Sequence, residues 1–430
     1  MFCTLDESLG DVKFKIQSMA FLSSFKSTVF IWFLMLIACG GKTITERKGT
    51  AEKKASKDKP IDKSIVVAAN RTAAYLPLLT DKKIAVVANQ TSVVFKKEGH
   101  THLVDSLLAH GIDITKVFAP EHGFRGKADA GEKVKDGVDY KTGLPIISLY
   151  GKNRKPNAEQ LKGIDMVVFD IQDVGVRFYT YIATLQLVME ACAGEYIPVL
   201  VLDRPNPNGH YIDGPTMESA HKSFLGMTEI PLVYGMTIGE YAQMINEEGL
   251  LNSEKRANLT VIELENYTHK STYNLPIRPS PNLPNAKAVN LYPSLGLFEG
   301  THINAGRGTE FQFQRYGASF LDPTQYRFNY IPEPNFGSKH PKEKGKTCFG
   351  KDLSQSEPLN EVSLLWLIDA FQNTHDKTKF FKTSGFTKHA GTKKLQQQIE
   401  SKKSPEEIKA SWQPDLEKFK KMRAKYLIYP

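Results

Sequence analysis

Cysteine is scarce, with four in 430 residues, which excludes a disulfide scaffold. Long apolar runs are missing as well. TVFIWFLMLIA at 28–38 is well short of the roughly 20 residues that span a bilayer. The first predicted strand-to-helix turn reads NQTSVV, which is not a G-x-G-x-x-G, and no P-loop is present. Dinucleotide and nucleotide binding therefore lose their main support. There is no G-x-S-x-G elbow, so a hydrolase triad is disfavoured. Neither H-E-x-x-H nor a zinc-type Cys/His spacing occurs, and no metal or cofactor is expected. A strong charge bias is also lacking in the body of the chain. The formal charge is +9, of which residues 1–38 contribute zero and 39–63 contribute +4, leaving +5 for 64–430. Nucleic-acid binding wants a concentrated basic face, so no such partner is expected.

What is present begins with an address. The apolar run at 28–38 follows Lys26, has the length of a signal-peptide core, and ends in small residues before Cys39. Residues 1–38 thus read as a lipoprotein signal, cut so that the Cys39 thiol carries lipid and anchors the protein to the cell envelope. A translation start at Met19 would make that signal conventional. Residues 39–63 are polar and Lys-rich, and bury too little to offset the entropy of ordering. They read as a flexible tether.

From residue 64 the pattern alternates. KIAVVAN (83–89), KVFAP (116–120), PIISLY (145–150), MVVFDI (166–171) and IPVLVLD (197–203) are short apolar, strand-like runs. Helical spacing appears between them, as in Leu103, Val104, Leu107 and Leu108 and over 179–193. This predicts an α/β fold with an open parallel sheet covered by helices. Polar clusters follow four strands: Asn89-Gln90-Thr91, Glu121-His122-Gly123-Phe124-Arg125, Asp170 to Asp173 with Arg177, Tyr179 and Tyr181 beyond, and Asp203 to Asn206 with Arg204. Ligands of open α/β sheets bind outside the carboxyl ends of the strands, so four such clusters predict one crevice.

The second half changes character. Thr237 and Glu240 have capping-box spacing, which gives Glu240 a structural reading beside any catalytic one. Two Gly-containing clusters, Glu299-Gly300-Thr301 and Gly306-Arg307-Gly308-Thr309-Glu310, allow close backbone approach to a ligand. We divide the body into a parallel-sheet domain over 64–270 and a smaller carboxyl-terminal domain over 271–430, with helices from about 355 onward.

Six motifs then occur in order: PEHGFRG (120–126), FDIQDVGVRFYTY (169–181), LDRPNP (202–207), YGMTIGE (234–240), PSPNLP (279–284, with Asn282) and EGTHINAGRGTE (299–310). Together they resemble the bacterial exo-β-N-acetylmuramidases of the NamZ type, glycoside hydrolase family 171. The resemblance departs at His302, where the family pattern leads us to expect Asn. It implies a Rossmann-like catalytic domain, a smaller α/β carboxyl-terminal domain and a cleft between them. The activity it implies is release of N-acetylmuramic acid from the non-reducing end of peptidoglycan fragments.

That reaction needs a proton donor for the leaving oxygen and a second group to support the oxocarbenium-like centre. The resemblance makes Glu121 the acid, oriented by His122 or Arg125. Asp170, Asp173, Glu240, Glu299 and Glu310 are the eligible second carboxylates, and the substrate's own acetamido group is the alternative. Arg307 or Arg177 would hold the lactyl carboxylate. Tyr179 and Tyr181 would wall the sugar, and Asn89, Arg204, Asn206 and Asn282 complete the expected crevice. A non-catalytic lipoprotein that captures muropeptides in the same crevice is the alternative function.

Overall fold

The computed structural model describes residues 64–126 and 136–430. The expected signal, Met19, the Cys39 lipidation site and the tether lie outside the described residues. The described residues form one compact unit.

Short runs of β-branched and apolar residues become strands here because both of their faces are covered. In chain order they are β1 (Ile84–Ala88), the hairpin β2 (Val93–Phe95) and β3 (His100–His102), β4 (Ile114–Ala119), β5 (Gly137–Val138), β6 (Pro145–Ser148), β7 (Met166–Asp170), β8 (Val199–Leu202) and β9 (Leu259–Ile262). Seven of them form a sheet ordered β5-β6-β4-β1-β7-β8-β9, parallel throughout except for the antiparallel edge strand β5. The helices of this half are α1 (Thr72–Leu79), α2 (Leu103–Ala109), α3 (Ala158–Leu161), α4 (Tyr181–Gly194) and α5 (Ile238–Glu247). Alternation along each strand sorts the core into two layers. Ala85, Val87, Val167 and Phe169 join one apolar cluster, while Ile84, Val86, Met166 and Val168 join the other. Cys192 lies buried in α4.

The second half carries α6 (Ala286–Leu295) and a 3-10 turn (Gly296–Gly300). A three-stranded antiparallel sheet follows, made of β10 (Arg315–Ala318), β11 (Phe328–Tyr330) and β12 (Cys348–Asp352). It ends in α7 (Leu365–Gln372), α8 (Thr383–Ala390), α9 (Lys394–Glu400) and α10 (Pro405–Arg423). One apolar cluster runs from Phe169 in the sheet through Leu297 to Phe419 in α10, so the two halves share a core. After α10 the chain returns to the first half. Tyr429 donates to buried Asp203 at 2.7 Å, and the backbone N–H of Ile428 donates to Glu240 at 2.9 Å.

Strand order reverses at β1, which lies between β4 and β7. This is the topological switch point where open α/β sheets hold their ligands. Glu121 follows β4 there.

Candidate active site

Glu121 sits on a strained turn. His122 has φ +68° and Gly123 φ +78°, so a non-glycine residue occupies the left-handed region beside the candidate acid. Two hydroxyls hold the carboxylate. Tyr150, just past β6, donates to Oε1 at 3.0 Å, and Thr180 donates to Oε2 at 3.0 Å. Thr180 stands at the amino-terminal end of α4, so the positive end of that helix lies beside the carboxylate. Tyr181 donates to the Glu121 carbonyl at 3.3 Å. Burial, followed by the charge of Glu121, pushes Tyr150 above the ordinary phenol range, so it keeps its proton and acts as a donor.

Glu121 and His122 line a small, partly open cavity of about 130 Å³ with walls from both halves of the chain. Tyr179 and Tyr181 form an edge-to-face pair at 4.8 Å on one wall, and the Tyr179 hydroxyl is spent on the Pro279 carbonyl at 2.7 Å. Asn282 is buried on the same cavity, and its Oδ1 has no hydrogen-bond partner among the described residues. Glu299 and Arg307 face it from the second half and pair at 3.1 Å. Burial pushes the Glu299 carboxyl up, but Arg307 and Lys342 outweigh it and hold the group at about 2. Lys342 donates to the carbonyls of Phe298, Glu299 and Ile303, and burial lowers its pKa to about 8. Gly306 and Gly308, at φ +76° and +81°, make the turn that presents Arg307. A Cβ on either would meet neighbouring atoms within 2.7 Å.

Several expected residues lie elsewhere. Arg177 does not reach the cavity and cannot hold a substrate carboxylate as placed. Its guanidinium is fully buried and donates to four backbone carbonyls, those of Pro215, Ile230, His389 and Ala390, at 2.7 to 3.1 Å. Burial pulls it down to about 9, which leaves it charged at neutral pH. Asp170 pairs with Arg204 through two bonds of 2.6 and 2.8 Å, with both side chains buried. Neither is open to a ligand. Asp173 lies near the cavity tyrosines but not on the cavity. Its Oδ2 accepts from Gly175 N and from the Tyr234 hydroxyl, and burial pushes it up to about 6.

Glu240 completes the capping box with Thr237. It also accepts from His269 at 2.9 Å and from the chain end, so it is committed to structure. Asn89 and Asn206 stabilise turns by accepting from the backbone N–H two residues on. Arg125 is forked onto Asp139 and reaches Asp105, away from the cavity. Glu310 is exposed and does not line it.

Sequence reading missed Tyr150, Thr180, Tyr292 and His389, all of which line the cavity or touch Glu121. Tyr150 stood at a strand end and was open to the same argument as Glu121. His389 comes from α8 in the Lys-rich region, and nothing local marks it. Its Nδ1–H donates to the Gly385 carbonyl at 2.9 Å, and burial lowers its pKa, so Nε2 is the ring's remaining acceptor.

A Rossmann-like sheet whose switch point opens onto a carboxylate-, arginine- and tyrosine-lined cavity, closed by a smaller second domain, defines the class. Within it, the chain belongs to the exo-β-N-acetylmuramidase NamZ family. The family's amino-terminal profile matches residues 84–287, and its carboxyl-terminal profile matches 290–429. It is 38% identical over 374 residues to the peptidoglycan β-N-acetylmuramidase NamZ of Bacillus subtilis, covering 83% of this chain and 89% of that one. Among solved structures it resembles two DUF1343 family proteins of Bacteroides fragilis. One is 42% identical with a TM-score of 0.78, the other 26% identical with a TM-score of 0.71. Each match covers 85% of this chain and 99% of the other.

Proposed function

We propose that the protein is an exo-acting β-N-acetylmuramidase that removes N-acetylmuramic acid from the non-reducing end of peptidoglycan fragments. The observation that carries this is the cavity itself. One carboxylate is held by two hydroxyls, and a second, ionised carboxylate is paired with an arginine across the same small space. In this reading Glu121 gives its proton to the leaving glycosidic oxygen while Thr180 and Tyr150 fix its orientation. Glu299 is the remaining carboxylate on the cavity among the described residues, and its charge supports the oxocarbenium-like centre. Arg307, with its flanking glycines, offers a fork to the lactyl carboxylate. Asn282 Oδ1 offers an acceptor to the acetamido N–H. His122, Tyr179 and Tyr181 shape the wall around the ring.

The reading also places the protein in the cell envelope, anchored through lipid on Cys39. The supports are the apolar run, the small residues before Cys39 and the polar tether. Radiolabelled palmitate should enter the native chain and not a Cys39→Ser variant; equal labelling of both rejects the anchor.

The reaction is tested with para-nitrophenyl β-N-acetylmuramide beside the matching glucosaminide. Hydrolysis of the muramide alone is expected. Hydrolysis of both removes the lactyl role of Arg307. Hydrolysis of neither, by protein that still binds muramic acid, favours a capture protein.

A further inference from the structure

The catalytic cavity has about 130 Å³, below the roughly 300–1,000 Å³ usual for a small-molecule site. That space is too small to hold a glycan chain. A second concavity of about 1700 Å³ lies close by. The two are separated by a tight turn in which Ser223 and Gly226 exchange backbone hydrogen bonds. Leu225 of that turn lines the cavity, while its neighbour Phe224 lines the groove.

The direction of the reaction relates the two spaces. A general acid protonates the leaving oxygen, so the leaving group emerges on the acid's side of the reacting sugar. On that side, Tyr150 holds Glu121 Oε1, and its ring lies 6.4 Å from that of Phe224. The guanidinium of Arg154 in turn covers the Phe224 ring at 4.3 Å. A path of aromatic and cationic surface therefore leads from the acid into the groove.

The groove's charge says what it would take. Each of its five glutamates is already held by a lysine. Lys152, Lys418 and Lys421 are not among those lysines, and Arg154 lies over Phe224. Against these four cations stands only Asp415 among the groove's remaining described acids. The surplus is positive, and all four cations are exposed.

We propose that this groove is the leaving-group site. It binds the rest of an unhydrolysed glycan strand, whose muramic carboxylates recur on every second sugar. Phe224 gives a sugar an apolar face, and Arg154, Lys418 and Lys421 meet the recurring carboxylates. This rests on Glu121 as the acid and on the muramidase reading. It makes the protein a strand-shortening enzyme rather than a disaccharidase.

The test compares kcat/KM on peptide-free strands of two, four and six sugars. The purified protein and a Lys418→Glu/Lys421→Glu variant are measured at low and high salt. The native protein should prefer the hexasaccharide by about tenfold or more, and salt should shrink that preference because the cations are exposed. The variant should lose the preference and keep its rate on the disaccharide. Equal kcat/KM at all lengths, or a variant that loses both substrates in proportion, overturns the groove. If no length is cleaved, the muramidase reading fails, and equilibrium binding of the same strands decides the groove. Affinity that grows with length and falls in the variant upholds it, and affinity independent of length overturns it.

Discussion

Tyr150 and Thr180 hold the two oxygens of Glu121, so a lost hydroxyl loosens the acid without removing it. Tyr150→Phe should lower kcat by about 10²-fold with little change in KM, the usual cost of slight misplacement. A changed KM with unchanged kcat would make Tyr150 a binding residue instead. Asp173 gives the opposite expectation. It lies off the cavity, and its Oδ1 is buried without a hydrogen-bond partner among the described residues. Asp173→Asn should therefore keep activity within severalfold. Its folded pKa is raised to about 6, above the unfolded value, so the folded state binds the extra proton between roughly pH 4 and 6. Native stability relative to the variant should rise as pH falls from 7 to 4, at the order of 1 kcal/mol per pH unit at most. Denaturant midpoints of both proteins across that range check it, and a difference that is flat or falls on acidification contradicts it.

At the scale of elements, Arg177 is the pin. It joins the loop after β7 to the carbonyls of Pro215 and Ile230 on one side and to the end of α8 on the other. Glycines make room for it, since a Cβ on Gly391 would lie 2.6 Å from its Nη2. Arg177→Met should cost about 3 kcal/mol or more in denaturant unfolding, because buried carbonyls lose their donors. A loss under 1 kcal/mol would show that the clamp is dispensable. The sheet and its switch point were legible in the sequence, because buried parallel strands print as β-branched runs and the polar residues after them fall at one edge. Asp170 and Arg204 were misread by the same rule, whereas the capping-box spacing of Glu240 had already offered the structural role it fills. A strand-end carboxylate can point into the crevice or back into the fold, and only its partner decides. Asp170 found Arg204, and Glu240 found Thr237, His269 and the chain end. Arg177 was misread because a buried guanidinium can be satisfied by backbone carbonyls, which leave no trace in residue types. His389 was illegible because its place depends on how α8 docks about 210 residues away from Arg177 in sequence.

Across the whole molecule, the last residues close the fold onto its first half. Tyr429 serves two buried groups, donating to Asp203 and accepting from the Leu264 N–H at 2.9 Å. Tyr429→Phe should destabilise by about 1–3 kcal/mol with activity retained in the folded fraction, read from the unfolding midpoint beside the specific rate. The proposed reaction depends on two halves of the chain meeting around one acid. That acid is tested most directly by making the leaving group do its work. Native protein and Glu121→Gln are compared on the muramyl disaccharide, a poor leaving group, and on 2,4-dinitrophenyl β-N-acetylmuramide, which leaves without a proton. Glu121 as the proton donor predicts a loss of at least about 10³-fold on the disaccharide and a loss of less than about tenfold on the activated glycoside. Equal losses on both, or full activity on the disaccharide, would contradict it.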